Sequence, residues 1–86
     1  MTKKMTYRTR GTCSRAIDIE LDDNGVILNV CFSGGCSGNT QGVSALVRGM
    51  KAEDAVRRLE GIRCGFRDTS CPDQLSIALR QMISEG

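Results

Sequence analysis

The stretch RAIDIELDDNGVILNVCF, residues 15–32, alternates apolar and polar residues on both sides of a turn signal. Successive side chains of a β-strand point to opposite faces, so each half of this stretch carries one apolar face. Asn24-Gly25 is typical of a two-residue hairpin loop, because both residues tolerate the positive φ of a type I′ turn. The stretch therefore predicts an antiparallel hairpin with one buried face. The residues predicted on that face are Ile17, Ile19, Leu21, Leu28, Val30 and Phe32.

The loop length also sets the predicted register of the hairpin. With a two-residue loop, Ile19 lies opposite Val30, and the other apolar residues also meet apolar partners. Continued toward the open end, the register predicts two further pairs, Arg15 with Gly34 and Cys13 with Cys36. The alternation directs both cysteines of the last pair to the buried face and Cys31 to the opposite face.

Three segments after the hairpin have the apolar spacing of amphipathic helices. Their apolar residues are Val43, Leu46, Val47 and Met50; Ala52, Ala55, Val56 and Leu59; and Leu75, Ala78, Leu79 and Met82. Gly49 and Gly61 suit the ends of the first two helices. Ser70 suits the N-cap of the third, with Asp73 returning a hydrogen bond to it.

These elements predict an α+β fold in one domain spanning residues 1–86. The sheet is expected to be small and antiparallel, with two to three strands and about three helices packed on one face. Residues 5–10 suit a short edge strand, and residues 1–5 are expected to be flexible.

Composition limits the classes of function. The chain has 86 residues, five cysteines, no histidine and a net charge of +2. The N-terminus lacks the apolar segment of a signal peptide, and no run is long enough to cross a membrane. A reducing cytoplasm is therefore the expected location, where clustered cysteines indicate a metal or catalysis more often than disulfides. Nucleic acid is a less favoured partner, because one Tyr and two Phe offer little surface for base stacking.

Four of the cysteines are expected to converge. Cys13 and Cys36 meet at the open end of the predicted hairpin, Cys71 lies in the first turn of the last helix, and Cys64 lies in the preceding loop. A metal site made of these four is one interpretation, although the chain lacks the Cys-x-x-Cys pair of most structural zinc sites. The alternative is a set of small, buried, reduced thiols.

The strings GTCSRAI, GGCSGNTQGVSALVRGM, LEGIRCG and TSCPDQL together resemble the TSCPD-domain family, from about Tyr7 to Leu79. The resemblance is to its short, stand-alone subgroup, whose four motif cysteines correspond to Cys13, Cys36, Cys64 and Cys71. These are the four residues that the predicted register groups together.

The same module resembles the C-terminal region of adenosylcobalamin-dependent ribonucleotide reductases. Stand-alone members are often labelled ribonucleoside-diphosphate reductase for that reason. With 86 residues, this chain is too short for the ten-stranded barrel, the cofactor site and the thiyl cysteine of a reductase. The resemblance therefore implies an accessory module related to deoxyribonucleotide and DNA synthesis, with no catalytic residue of its own. It also suggests ribonucleotide reductase, or another protein, as the partner.

A second resemblance covers residues 26–66. There a Gly-Cys loop, the string RGMKAEDAV and IRCG resemble the iron–sulfur cluster assembly scaffold proteins. These proteins are also small sheets with helices on one face and cysteines at one end.

Three functions are consistent with this sequence. The first is a zinc-binding accessory module, in which four thiolates form a closed structural site. The second is an iron–sulfur or sulfur-carrying scaffold that uses the same thiols. The third is thiol redox chemistry, in which a helix N-terminus lowers the pKa of Cys71 and Cys64 resolves the oxidised product.

Overall fold

The computed structural model describes residues 2–12, 14–34, 37–63, 65 and 68–85. Three strands form one antiparallel sheet in the order β1-β2-β3, and three helices follow them along the chain. The predicted α+β fold is confirmed. The elements are β1 (Lys3–Arg8), β2 (Ser14–Leu21), β3 (Ile27–Gly34), α1 (Ser37–Val47), α2 (Ala52–Leu59) and α3 (Cys71–Glu85).

The centre of the hairpin has the predicted register. Ile17 pairs with Phe32 and Ile19 pairs with Val30. Ile17, Ile19 and Val30 are all buried, as the alternation of the sequence requires. The apolar face of the hairpin is therefore the face covered by the helices.

The turn differs from the prediction. The N–H of Asp22 donates to the carbonyl of Val26 at 2.9 Å, so three residues, 23–25, form the loop. Gly25 has a φ of +79°, whereas Asn24 has a negative φ, which excludes a type I′ turn. A three-residue loop with a left-handed glycine shifts the register by one residue relative to a two-residue loop.

A β-bulge after the turn compensates for this shift. Leu21 pairs with Ile27, whereas Glu20 pairs with Asn29, so Leu28 is the extra residue. Ile27 is 1% exposed and Leu28 is 40% exposed. The predicted burial of Leu28 is therefore wrong, and Ile27 takes its place in the core.

The strand β1 begins earlier than predicted and pairs with the whole length of β2. Lys3 pairs with Leu21 and Arg8 pairs with Ala16. Residues 3–5, which the sequence predicts to be flexible, thus lie within the sheet, and the strand ends at Arg8 instead of residue 10.

The helices cover one face of the sheet, with α1 against β3 and α3 against β1 and the other helices. All four predicted core residues of α3 are buried, and so are three of the four in α2. Of the predicted apolar residues in α1, Val47 is buried and Val43 is half-buried, whereas Leu46 is 78% exposed. The predicted contact of Leu46 with the core is wrong, because Thr40, Val43 and Val47 form the buried side of this short helix.

Candidate metal centre

The start of α3 holds Cys71 in a fixed and buried position. The hydroxyl of Ser70 accepts a hydrogen bond from the N–H of Asp73 at 3.1 Å, which confirms Ser70 as the N-cap. Pro72 is buried in the first helical turn, where its missing N–H removes no helical hydrogen bond. Cys71 is only 6% exposed. Its thiol is therefore directed into the protein.

The Cys71 thiol contacts a cluster of hydroxyl groups at the beginning of β2. Its Sγ donates to Oγ of Ser14 at 3.2 Å, across 57 residues of sequence. Ser14 is 4% exposed, and its Oγ lies 3.0 Å from Oγ1 of Thr12. The hydroxyl of Thr9 donates to the backbone carbonyl of Ser14 at 2.5 Å. Cys71 thus binds to the residue that directly follows Cys13 in the chain.

A second set of hydrogen bonds connects α3 to the loop before it. The hydroxyl of Ser70 donates to the carbonyl of Ile62 at 2.6 Å. Asp73 accepts from the N–H of Gly61 at 2.7 Å and from the hydroxyl of Thr69. Asp73 therefore anchors the loop and does not return the predicted hydrogen bond to the N-cap.

Gln74 completes the connection between α3 and the first strand pair. Its Oε1 accepts from the N–H of Arg10, and its Nε2 donates to Oγ1 of Thr69, both at 3.0 Å. Gln74 is 5% exposed. Within the described residues, no buried side-chain nitrogen or oxygen lacks a hydrogen-bond partner. This end of the molecule is thus a well-satisfied polar network built around the TSCPD string.

The structure describes one of the four predicted ligands. Cys71 lies in the polar network, whereas Cys13, Cys36 and Cys64 lie outside the described residues. Among the residues that are described, no group of three or more Cys, Asp and Glu is arranged to hold a metal ion. The convergence of the four cysteines therefore stays a prediction.

The register near these cysteines differs from the predicted one. Gly34 pairs with Ser14 and not with Arg15, because the register shifts between Ser14 and Ala16. This shift also turns Ser14 inward, although strict alternation would place it on the open face. The predicted pair of Cys13 with Cys36 falls outside the described residues.

Cys31 lies where the alternation predicts it. It pairs with Asp18 and is exposed, on the face opposite the helices. Cys31 is thus separate from the thiol of Cys71.

Sequence reasoning missed the residues that position Cys71, namely Ser14, Thr9, Thr12, Thr69 and Gln74. No local pattern marks Ser14 or Gln74, because Ser14 contacts Cys71 across 57 residues and Gln74 contacts Arg10 across 64.

No helix among the described residues has both the length and the apolar character needed to cross a membrane. Comparisons with curated proteins and with solved structures found no match. The model of the TSCPD domain, in contrast, matches residues 2–83 of the 86. The matched range includes all three strands and the start of α3 that holds Cys71. The chain therefore belongs to the TSCPD-domain family.

Proposed function

We propose that this chain is a zinc-binding accessory module, related to the C-terminal region of ribonucleotide reductases. It would have a structural or partner-binding role in deoxyribonucleotide and DNA synthesis. Cys13, Cys36, Cys64 and Cys71 would hold the ion. Four thiolates leave no open coordination position, so the metal would stabilise the fold and would not activate a substrate.

The observation that carries this proposal is the set of contacts around the start of α3. Ser14 pairs with Gly34, the Cys71 thiol donates to Ser14, and Ser70 donates to Ile62. Each of the other three cysteines is one or two positions from one of these anchored residues. Two residues span at most about 7 Å, so these anchors are compatible with the proposed convergence of the four cysteines.

The surroundings of Cys71 fit a metal-bound thiolate. When a thiol loses its proton to bind zinc, it becomes an acceptor only. The Ser14 hydroxyl, 3.2 Å from Sγ, can then donate to it, and Thr12 can donate to Ser14 in turn. Hydrogen bonds of this kind orient ligands and increase metal affinity.

Charge supports the same assignment. Four thiolates and one Zn²⁺ carry a net charge of −2. Three exposed arginines, Arg10, Arg15 and Arg63, lie on the segments that would carry ligands, and the described residues form no ion pair with them. Their positive charge offsets that of the thiolates. It also provides a surface for a reductase or another protein partner, or for nucleic acid.

Burial disfavours the redox alternative. An attacking or sensing thiol needs access to its substrate, and Cys71 is only 6% exposed. A thiol this buried suits a structural ligand better than a nucleophile.

Elemental analysis of untagged protein, purified without added metal, tests the proposal. We expect one zinc per chain. Iron together with acid-labile sulfide would instead establish the cluster-scaffold function. A folded protein that contains neither zinc nor iron would contradict both metal-binding functions.

The partner is tested separately, by titrating the zinc-loaded protein into a purified adenosylcobalamin-dependent reductase and, in parallel, into single-stranded DNA. We expect saturable binding to the reductase. Binding to DNA alone would replace the protein partner with nucleic acid.

A further inference from the structure

The two edge strands of the sheet differ in their protection against pairing with another chain. β1 has the sequence KKMTYR, with three cations in six residues. Charged side chains on an edge strand oppose the addition of another strand. β3 has the sequence ILNVCFSG, with no charge and no proline. The sequence of β3 therefore contains neither the charge nor the proline that usually protects an edge strand from pairing with another chain.

The beginning of the β3 edge is covered by its own chain. The N–H of Ile27 donates to the carbonyl of Met50, and the N–H of Gly49 donates to the carbonyl of Ile27, both at 2.8 Å. Further along, no described residue pairs with residues 29–34 on the side away from β2. Among the described residues, about 20 Å of the β3 edge thus has no strand partner.

A groove runs along this open edge. It has a volume of about 650 Å³ and lies between residues 29–34 and the adjacent side of α1. Its other wall is formed by residues of α1 and by the residue directly after it: Thr40, Gln41, Ser44, Ala45 and Arg48. Arg48 carries the only charge among the lining residues, and its guanidinium donates to Oδ1 of Asn29 at 3.4 Å. The charge is thus confined to one end of the groove.

We propose that the β3 strand of a second copy of this chain occupies the groove. The two β3 strands would pair antiparallel about a two-fold axis and form one continuous six-stranded sheet. In such a pair, residues near the axis face their own copies, so any charge there would meet a like charge. β3 carries none, whereas the same arrangement of β1 would place Lys3 of each copy opposite Arg8 of the other.

The position of Arg48 fits this arrangement. Antiparallel pairing places the Asn29 end of one copy at the Gly34 end of the other. The two Arg48 side chains would therefore lie at opposite ends of the dimer interface and would not repel each other. The proposal depends on the sheet edge alone and is independent of metal binding.

Sedimentation velocity over a concentration series tests the proposal with a matched pair of variants. Cys31 and Thr6 are both exposed and both lie opposite Asp18, one on each edge strand. Cys31→Lys places a cation near the proposed axis, and Thr6→Lys places the same cation on the other edge. Cys31→Ser separates the effect of charge from loss of the thiol.

We expect wild type, Cys31→Ser and Thr6→Lys to form dimers. Cys31→Lys should raise the dimer dissociation constant at least about tenfold, while its circular dichroism spectrum stays that of a folded chain. A wild type that remains monomeric up to millimolar concentration would overturn the proposal. So would a dimer that both lysine variants retain, because it must use another surface.

Discussion

The apolar core and the polar network at the start of α3 are both buried, but they are held together by different forces. In the core, Ile17, Ile19, Leu75 and Leu79 are at most 2% exposed and contact other apolar side chains. In the polar network, the burial is nearly as complete for Ser14, Ser70 and Gln74, which are 4–5% exposed. Their neighbours are hydroxyl, amide and backbone groups.

This difference decides which region can stabilise itself. Burial of apolar surface contributes about 25 cal/mol per Å². A hydrogen bond in a protein replaces one to water, so its net contribution is only about 1 kcal/mol. The polar network is therefore positioned precisely but gains little stability from its own contacts. Zinc bound by the four cysteines would supply the stabilising free energy that this region lacks.

Cys71→Ser should have the largest effect of any single substitution. It removes a proposed ligand and leaves three thiolates around a poorly held ion. Because structural zinc contributes on the order of 10 kcal/mol to folding, we expect loss of bound zinc and of the cooperative melting transition. A Cys71→Ser protein that retains one zinc and the wild-type melting curve would exclude Cys71 as a ligand.

Leu79→Ala should destabilise the other region by about 2–5 kcal/mol, through lost burial and a cavity at a fully buried site. Chemical denaturation gives the change in the free energy of unfolding. Unlike Cys71→Ser, this variant should keep one zinc per chain. Loss of zinc from Leu79→Ala would show that the two regions are not separable.

Ser14→Ala removes the hydroxyl that would donate to a zinc-bound Cys71 thiolate, without removing a ligand. We expect zinc affinity to fall by about 10–100-fold, measured by competition with a chromophoric chelator. Ser44→Ala is the matched control, because its hydroxyl donates to the carbonyl of Thr40 within α1. Equal zinc affinities for the two variants would show that the Ser14 hydroxyl does not support zinc binding.

Ser70→Ala should cost about 1 kcal/mol, because the N–H of Asp73 loses its capping acceptor. The lost bond to Ile62 adds to this cost. Ser84→Ala, on the exposed last turn of the same helix, should change stability by less than about 0.5 kcal/mol. Thermal melts of both variants check the difference.

Cys31→Ser should have the smallest effect, less than about 0.5 kcal/mol. Its side chain is exposed on the open face of the sheet. Zinc content should stay at one per chain. A loss of zinc from this variant would mean that the ligand set includes Cys31.

The apolar regions could be predicted from sequence because their signal is periodic. The four core residues of α3 and the pairs at the centre of the hairpin follow directly from helical and strand spacing. The errors in the hairpin arose where one residue breaks the period. Because of the three-residue loop and the bulge at Leu28, Ile27 is buried and Leu28 is exposed. No sequence pattern predicts either feature.

The polar network could be predicted only in part. Ser70 follows a local capping rule, and Cys71 follows from its place in the first turn. The contact between Cys71 and Ser14 spans 57 residues and depends on a register shift, so no local pattern predicts it. Other hydroxyl side chains, those of Thr2, Thr6 and Ser84, are exposed.

Thermal unfolding with and without a strong chelator tests most directly whether zinc stabilises this protein. Wild type, Cys13→Ser and Cys31→Ser should be compared under both conditions. We predict that the chelator abolishes the transition of wild type and of Cys31→Ser, and that Cys13→Ser lacks it from the start. Equal melting temperatures for wild type and Cys13→Ser, both unaffected by the chelator, would contradict the account.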